Sequence, residues 1–556
     1  MKKIIIAAMV ALCCTSCEDF LDKGPLTTLS EASYWSKTTD AEYAVNGMYE
    51  AFTEFDCNAP YMDAVMTDLF HLRNYWECGL EPFYKGSLAS DNGWISYFWQ
   101  NKYQYIRSTN YFFENIDKLK GKLSDQEYNN LCGQARMIRA FMYLRLVQGF
   151  GDVPLVTQSL TPNDWPERTP VDQVMAFVFK ELDQSIAELP ENQSDSRHGR
   201  IFKYVAYAYK ARAAMYYAGF YGKSEYYQVA ADALKPIVES GKFELFKKNA
   251  DPVSNFEELF WAENEGADNK EIIFSDQFIK DTRPNNISTA YAWGGWKGIQ
   301  AQQNLIDQYE CKEGWQAHGI SFKEMNGYRN TKTLRSPLEN KSSIYDPKQE
   351  TENRDPRLKA TFFAAKISVD AEGNIQKEGE YWEPALFTFT PEAENDCYFP
   401  KKLVDPTTWG TQPIPNNSYN NFPLVRYSDI LLLYAEALNE LGKTSEAVKY
   451  VNMVRDRVEM PDIACSDKDE MLEIIKHERK IELLLEQQIC WDYRRWHEYE
   501  RTMPYGAEFY GYRRETFGHS SVMTRSTLLT YPKYYLWPIP VQEIRNNKNM
   551  KQNEGW

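Results

Sequence analysis

Past residue 17 this chain has no apolar run approaching the roughly 18 residues that a membrane-crossing helix needs, which excludes a bundle of transmembrane helices. Histidine is scarce, with six in all, and no HExxH pattern forms: His477-Glu478 begins one, but position 481 is Ile. GxSxG is missing too. Gly222-Lys223-Ser224 ends like a phosphate-binding loop, yet Tyr217 stands where the first glycine belongs, and a helical stretch rather than a strand leads into it. These gaps remove the common metalloprotease, serine-hydrolase and nucleotide-binding templates. A glycoside hydrolase stays open as the enzymatic alternative, because its carboxylate pair is set by distance in space and leaves no fixed spacing among 79 acidic residues.

Positive charge is also in short supply. With 63 Lys and Arg against those acids the net charge is -16, which repels phosphate backbones, excludes nucleic acid as a partner and favours a neutral ligand. Beyond residue 17 the cysteines stand at 57, 78, 132, 311, 397, 465 and 490, an odd, widely spaced set without a CxxC pair. Neither a disulfide framework nor a zinc site is expected, and no metal or other cofactor is implied.

What is present begins with Met1, Lys2 and Lys3, a short positive region, followed by an apolar stretch from Ile4 to Leu12. Thr15 and Ser16 precede Cys17 as a relaxed lipobox requires, so a signal peptide is expected over residues 1–16 with lipid attached to Cys17. A single acyl chain binds membranes only marginally, so stable tethering takes two or three. The body, 17–556, is 43% hydrophobic and long enough for a substantial core.

Helical periodicity dominates. Ser124-Asp125-Gln126-Glu127 is a capping box ahead of a helix ending near Gly149. Thr169-Pro170-Val171-Asp172 reads as an N-cap, a first-turn proline and an acid, opening a helix to about Leu189. A third helix is expected from about Phe202 to Gly219. Tyr427 to Leu441 and Ser445 to Val458 follow, and Ser466-Asp467 opens a long helix expected to run through Trp496. Tyr434-Ala435-Glu436-Ala437 with Gly442 and Ala447 looks like a tetratricopeptide unit, and Tyr207 to Gly219 with Tyr226 to Ile237 is a looser copy. Between 245 and 420 the pattern turns to Gly, Pro, Asn and aromatics, with short strand-like runs and one expected helix from about Ile299 to Tyr309. The body therefore divides at about 17–244, 245–420 and 421–556. Its fold class is mainly α: a tetratricopeptide-like helical-pair scaffold packed against an irregular, loop-rich half with short strands. Glu478, Arg479, Glu482 and Glu486 share a helix with Met471, Ile474, Ile481 and Leu485, so charges near that apolar stripe should be paired.

Several of these stretches together resemble one family. Cys17 with Phe20-Leu21-Asp22 and Pro25, Arg139-Ala140 with Phe150-Gly151-Asp152-Val153-Pro154, and Gly199-Arg200 are similar to the SusD/RagB-type surface lipoproteins of the Bacteroidota. So are Arg354-Asp355-Pro356-Arg357-Leu358, Arg426-Tyr427-Ser428-Asp429, Glu478-Arg479 with Glu482-Leu483, Arg495-Trp496, and Tyr535-Leu536-Trp537-Pro538 with the terminal Gln552-Asn553 and Gly555-Trp556. One departure stands after Glu486, where the family pattern carries a glycine and an arginine and this chain has Gln487 and Ile489. The resemblance implies a binder rather than an enzyme. It would be lipid-anchored in the outer membrane facing the exterior, would take up glycan or oligosaccharide, and would partner a SusC-type TonB-dependent barrel transporter; peptide capture of RagB type is the alternative.

A sugar offers apolar C–H faces, so its site needs flat aromatic platforms beside hydrogen-bonding groups. Aromatics make up 15% of the chain. Trp99, Tyr103, Ile106 and Asn110 have helical spacing and, with Trp496 and Trp537, read as scaffold. Two loop clusters are the candidate binding residues: Arg73, Asn74, Tyr75 and Trp76 with Trp94, and Tyr291, Trp293 and Trp296 among glycines.

Overall fold

The computed structural model describes residues 34–53, 61–72, 79, 81–194, 199–266, 269–287, 299–329, 336–346, 349–363, 365–369, 375–379, 398–405, 417–512 and 521–556. Cys17 lies outside them. The helices that build the scaffold are α1 (Thr38–Met48), α2 (Gly93–Asn115), α3 (Asp125–Phe150), α4 (Val171–Glu188), α5 (Lys203–Tyr221), α6 (Tyr226–Glu239), α7 (Tyr427–Glu440), α8 (Thr444–Arg457), α9 (Lys468–Leu483) and α10 (Ile489–Arg495). Successive helices pack on one another, α3 with α4, α5 with α6 and α7 with α8, and α6 docks on α7 to carry the stack across the intervening irregular half. Small side chains permit that approach: Ala206, Ala213 and Ala214 of α5 and Ala230 and Ala233 of α6 are buried. One apolar core extends from Trp35 to Met550.

The capping box at Ser124 forms as read, its hydroxyl accepting from the Glu127 N–H at 3.2 Å. The cap of α4 differs. Thr169 is drawn into an extended bridge with Val153, its hydroxyl accepting from the Leu155 N–H, and the Asp152 carboxylate caps Val171 instead at 2.8 Å. The helix expected from Ile299 to Tyr309 resolves into strand β3 (Ile299–Ala301) and a short helix, Gln303–Gln308, because β3 pairs with β1 (Phe70–Leu72). The long helix expected to reach Trp496 breaks between α9 and α10. There Lys402 and Arg426 both donate to the Glu482 carbonyl, while the buried Asp63 carboxylate accepts from the Gln487 and Cys490 N–H groups at 3.0 Å each. Leu485 and Gln487 take left-handed backbone angles, φ 67° and 55°, a conformation a glycine adopts without steric cost.

β2 (Ile272–Asp276) pairs antiparallel with β4 (Phe422–Arg426), which leads directly into α7. Around that junction the charged motif residues assemble into one buried network. Glu482 meets Arg357 at 3.3 Å, Arg426 at 3.0 Å and Arg457 at 2.5 Å. Arg357 also holds Asp355 and Glu478, Arg455 holds Glu310 and Glu478, Arg426 and Arg457 share Glu271, and Lys402 holds Glu486. Burial alone would raise the Glu482 carboxyl, but Arg457, Arg426 and Arg357 outweigh it and hold the group well below the usual carboxylate range. A second set joins α5, α7, α9 and α10: Arg212 and Arg479 on Asp429, Arg479 and Arg495 on Asp492, and Arg495 on Glu436. The expected pairing of charges along α9 is thus met by partners from distant segments.

Candidate ligand-binding site

The ladder between β1 and β3 is short, and its register matters: Phe70 faces Ala301, His71 faces Gln300 and Leu72 faces Ile299. Leu72 ends β1 and Ile299 begins β3, so the chain leading to Arg73, Asn74, Tyr75 and Trp76 and the chain arriving from Tyr291, Trp293 and Trp296 meet the described fold at paired positions. Paired antiparallel Cα atoms lie only about 4.5–5.5 Å apart. Those seven candidate residues themselves lie outside the described residues. The ladder is extended by Tyr398, whose carbonyl accepts from the Ala301 N–H at 3.0 Å.

Trp94 is described, and it sits at the start of α2. Asn92 is the N-cap, its Oδ1 accepting from the Trp94 and Ile95 N–H groups at 3.0 and 3.1 Å. The same side chain donates from Nδ2 to the Gly79 carbonyl at 2.8 Å, which ties the far end of the first candidate segment to the helix that carries Trp94. The Trp94 ring is half-buried, edge-on to Trp537 at 5.3 Å and beside Phe98 at 5.4 Å. Trp99 is buried, Tyr103 donates to the Pro154 carbonyl at 2.8 Å and Asn110 to the Val156 carbonyl at 3.0 Å, which places that series in the scaffold. Trp537 is fully buried, and Trp496 is half-buried with its indole N–H on Glu436.

Among the described residues no group of three or more His, Cys, Asp or Glu is arranged to hold a metal ion. Two further cavities flank Gly199-Arg200, of about 260 and 270 Å³. In the sequence Gly199-Arg200 stands out only as a family-like pair; the facing residues Gln277 and Glu265 come from the irregular half, where no periodicity announces them.

A helix-pair scaffold packed against an irregular flank with short two-stranded ladders defines a mainly α class of protein. The chain belongs to the SusD family: the profile of that family matches residues 259–556, and a second profile, described as "Starch-binding associating with outer membrane", matches residues 19–215. It is 26% identical to SusD-like protein P2 of Formosa agariphila, with the whole of both chains covered. It is 22% identical to the starch-binding protein SusD of Bacteroides thetaiotaomicron, over 81% of this chain and 76% of that one. The crystal structure of a SusD-like protein from Bacteroides fragilis aligns with a TM-score of 0.75 at 25% identity, covering 96% of this chain and 100% of the other.

Proposed function

We propose that this chain is a non-catalytic glycan-binding lipoprotein of the outer membrane, displayed outward through lipid on Cys17, that passes oligosaccharide to a SusC-type TonB-dependent barrel. The observation that carries the reading is the pairing of Leu72 with Ile299, which gives the two aromatic segments a common root. Membership of a family whose relatives include a starch-binding protein supports the ligand class. Stacking adds ~1 kcal/mol per ring beyond area burial, so a site of three rings holds a short oligosaccharide weakly, in roughly the millimolar to micromolar range. Tethering then matters, because confinement beside a transporter raises the effective concentration of a weak binder.

The test is retention on a panel of immobilised neutral glycans. Trp76→Ala and Trp296→Ala are each expected to weaken retention about fivefold, the equivalent of ~1 kcal/mol. Unchanged retention in both would remove the two segments from the site. Release of new reducing ends would instead make the protein a hydrolase, and retention by peptides alone would favour the RagB-type alternative. Cys17→Ala is expected to leave retention unchanged while moving the protein from the membrane to the soluble fraction; a variant that stays with the membrane would refute the anchor.

A further inference from the structure

The two cavities beside Gly199-Arg200 lie away from the β1–β3 ladder, where the N-terminal helices face β2 and β4. They share Gly199, Arg200, Phe274, Ser275 and Gln277. Each is a little smaller than the pockets that enclose drug-sized ligands, about 300–1,000 Å³, and suits one small ring. Gly199 adopts φ +82°, and a Cβ there would run into the Gln277 side chain at 2.2 Å, so the absence of a side chain is what lets Gln277 lie between the cavities.

Arg200 lines both spaces and forms no ion pair or hydrogen bond with any described residue; its buried Nη1 lacks a partner. Arg357, Arg426, Arg455 and Arg457 of the buried charge network are, by contrast, each held by carboxylates. Lys242 and Lys270 also line the first cavity, each turned toward a carboxylate outside the lining, Glu191 at 2.9 Å and Glu244 at 3.1 Å. The single acid of the lining is Glu265, which accepts from the Asn421 N–H; burial pushes its carboxyl up to about 7, with Asp405 adding to the rise. Phe202, Phe243 and Phe260 supply the apolar wall. With both lysines already balanced by carboxylates just outside the lining, Arg200 is the cation of this cavity left to a ligand.

We infer that this is a second ligand site, specific for a small sugar acid: its carboxylate on the Arg200 guanidinium, its ring against Phe202, Phe243 and Phe260, and its hydroxyls on Gln277. A planar guanidinium takes a carboxylate through two parallel N–H donors, which a neutral sugar cannot exploit.

The experiment is calorimetric titration of the whole protein at pH 7 with glucuronate and with glucose as the matched neutral probe. Glucuronate is expected to bind at least tenfold more tightly than glucose. Arg200→Ala is expected to lose glucuronate binding by at least tenfold, and Glu265→Gln, which removes the one acid while keeping an acceptor for the Asn421 N–H, to tighten it. Trp76→Ala and Trp296→Ala should leave glucuronate binding unchanged, so this site and the proposed glycan site fail or hold separately. Equal affinity for the two probes, no binding of glucuronate, or full binding by Arg200→Ala would overturn the assignment. Loss of glucuronate binding in Glu265→Gln would do the same, independently of how the arginine variant folds.

Discussion

Glu482→Gln is expected to destabilise the fold by about 4 kcal/mol, because removing one partner from a buried ion pair leaves an uncompensated charge in the interior and costs ~3–5 kcal/mol. The carboxylate is inaccessible to solvent and bridges Arg357, Arg426 and Arg457, which arrive from the Arg354–Leu358 motif, from β4 and from α8. Glutamine keeps the volume but turns an amide donor toward guanidinium donors and leaves an excess positive charge. Denaturant unfolding at pH 7 measures the loss, and a change under about 1 kcal/mol would mean that the surrounding cations are neutralised without Glu482. The sign with pH follows from the depressed carboxyl. Its stabilisation is present above the unfolded value of 4.5 and is lost as pH falls toward the lower folded value, so the gap between variant and parent should close on acidification.

Trp537→Ala is expected to cost about 3–5 kcal/mol, the range for emptying a buried large aromatic site. The ring has no solvent exposure and is surrounded by Phe98 at 5.0 Å, Trp94 at 5.3 Å, Phe150 at 5.7 Å and Trp491 at 5.9 Å, with the Arg494 guanidinium 5.0 Å from its centre. α3 approaches so closely that a Cβ on Gly149 would stand 2.8 Å from the indole, and the Trp537 backbone N–H donates to the Gly149 carbonyl at 2.7 Å. Relaxation cannot readily fill such a space, since its walls are the ends of helices already fixed by other contacts. The denaturant midpoint is the direct readout. Glycan retention should fall as well, because Trp94 loses the ring it leans on; retention equal to the parent's would argue that Trp94 takes no part in binding.

The scaffold was legible wherever the signal was local. Ser124 caps α3 because its hydroxyl and the Glu127 N–H are three residues apart, and the alanines of α5 and α6 announce close helix contact in their own spacing. Reading failed where a partner far along the chain decided the outcome. Ile299 to Ala301 carries a helical pattern but is taken by the free edge of β1, some 230 residues earlier, and Thr169 yields its cap to Asp152 because Val153 claims its backbone. The stretch Leu484 to Gln488 reads as continuous helix, yet Asp63 binds the amides beyond the break. Arg357, Arg426 and Glu482 were each visible within a separate motif; that they converge on one another is a property of topology, which no local pattern encodes. The aromatic segments were visible by composition alone, and the structure adds the positions of their roots.

Those roots have a consequence for how such a protein can be altered. Leu72 and Ile299 are fixed across a hydrogen-bonded ladder, and Gly79 is clipped to Asn92, so the ends of the first segment and the end of the second stay put whatever lies between. Closure entropy grows only with the logarithm of loop length, about 0.6 kcal/mol for each doubling. The ladder therefore supplies seams at which segments of different length and composition can be exchanged, by gene recombination or by grafting, with the charge network and the Trp537 cluster left untouched.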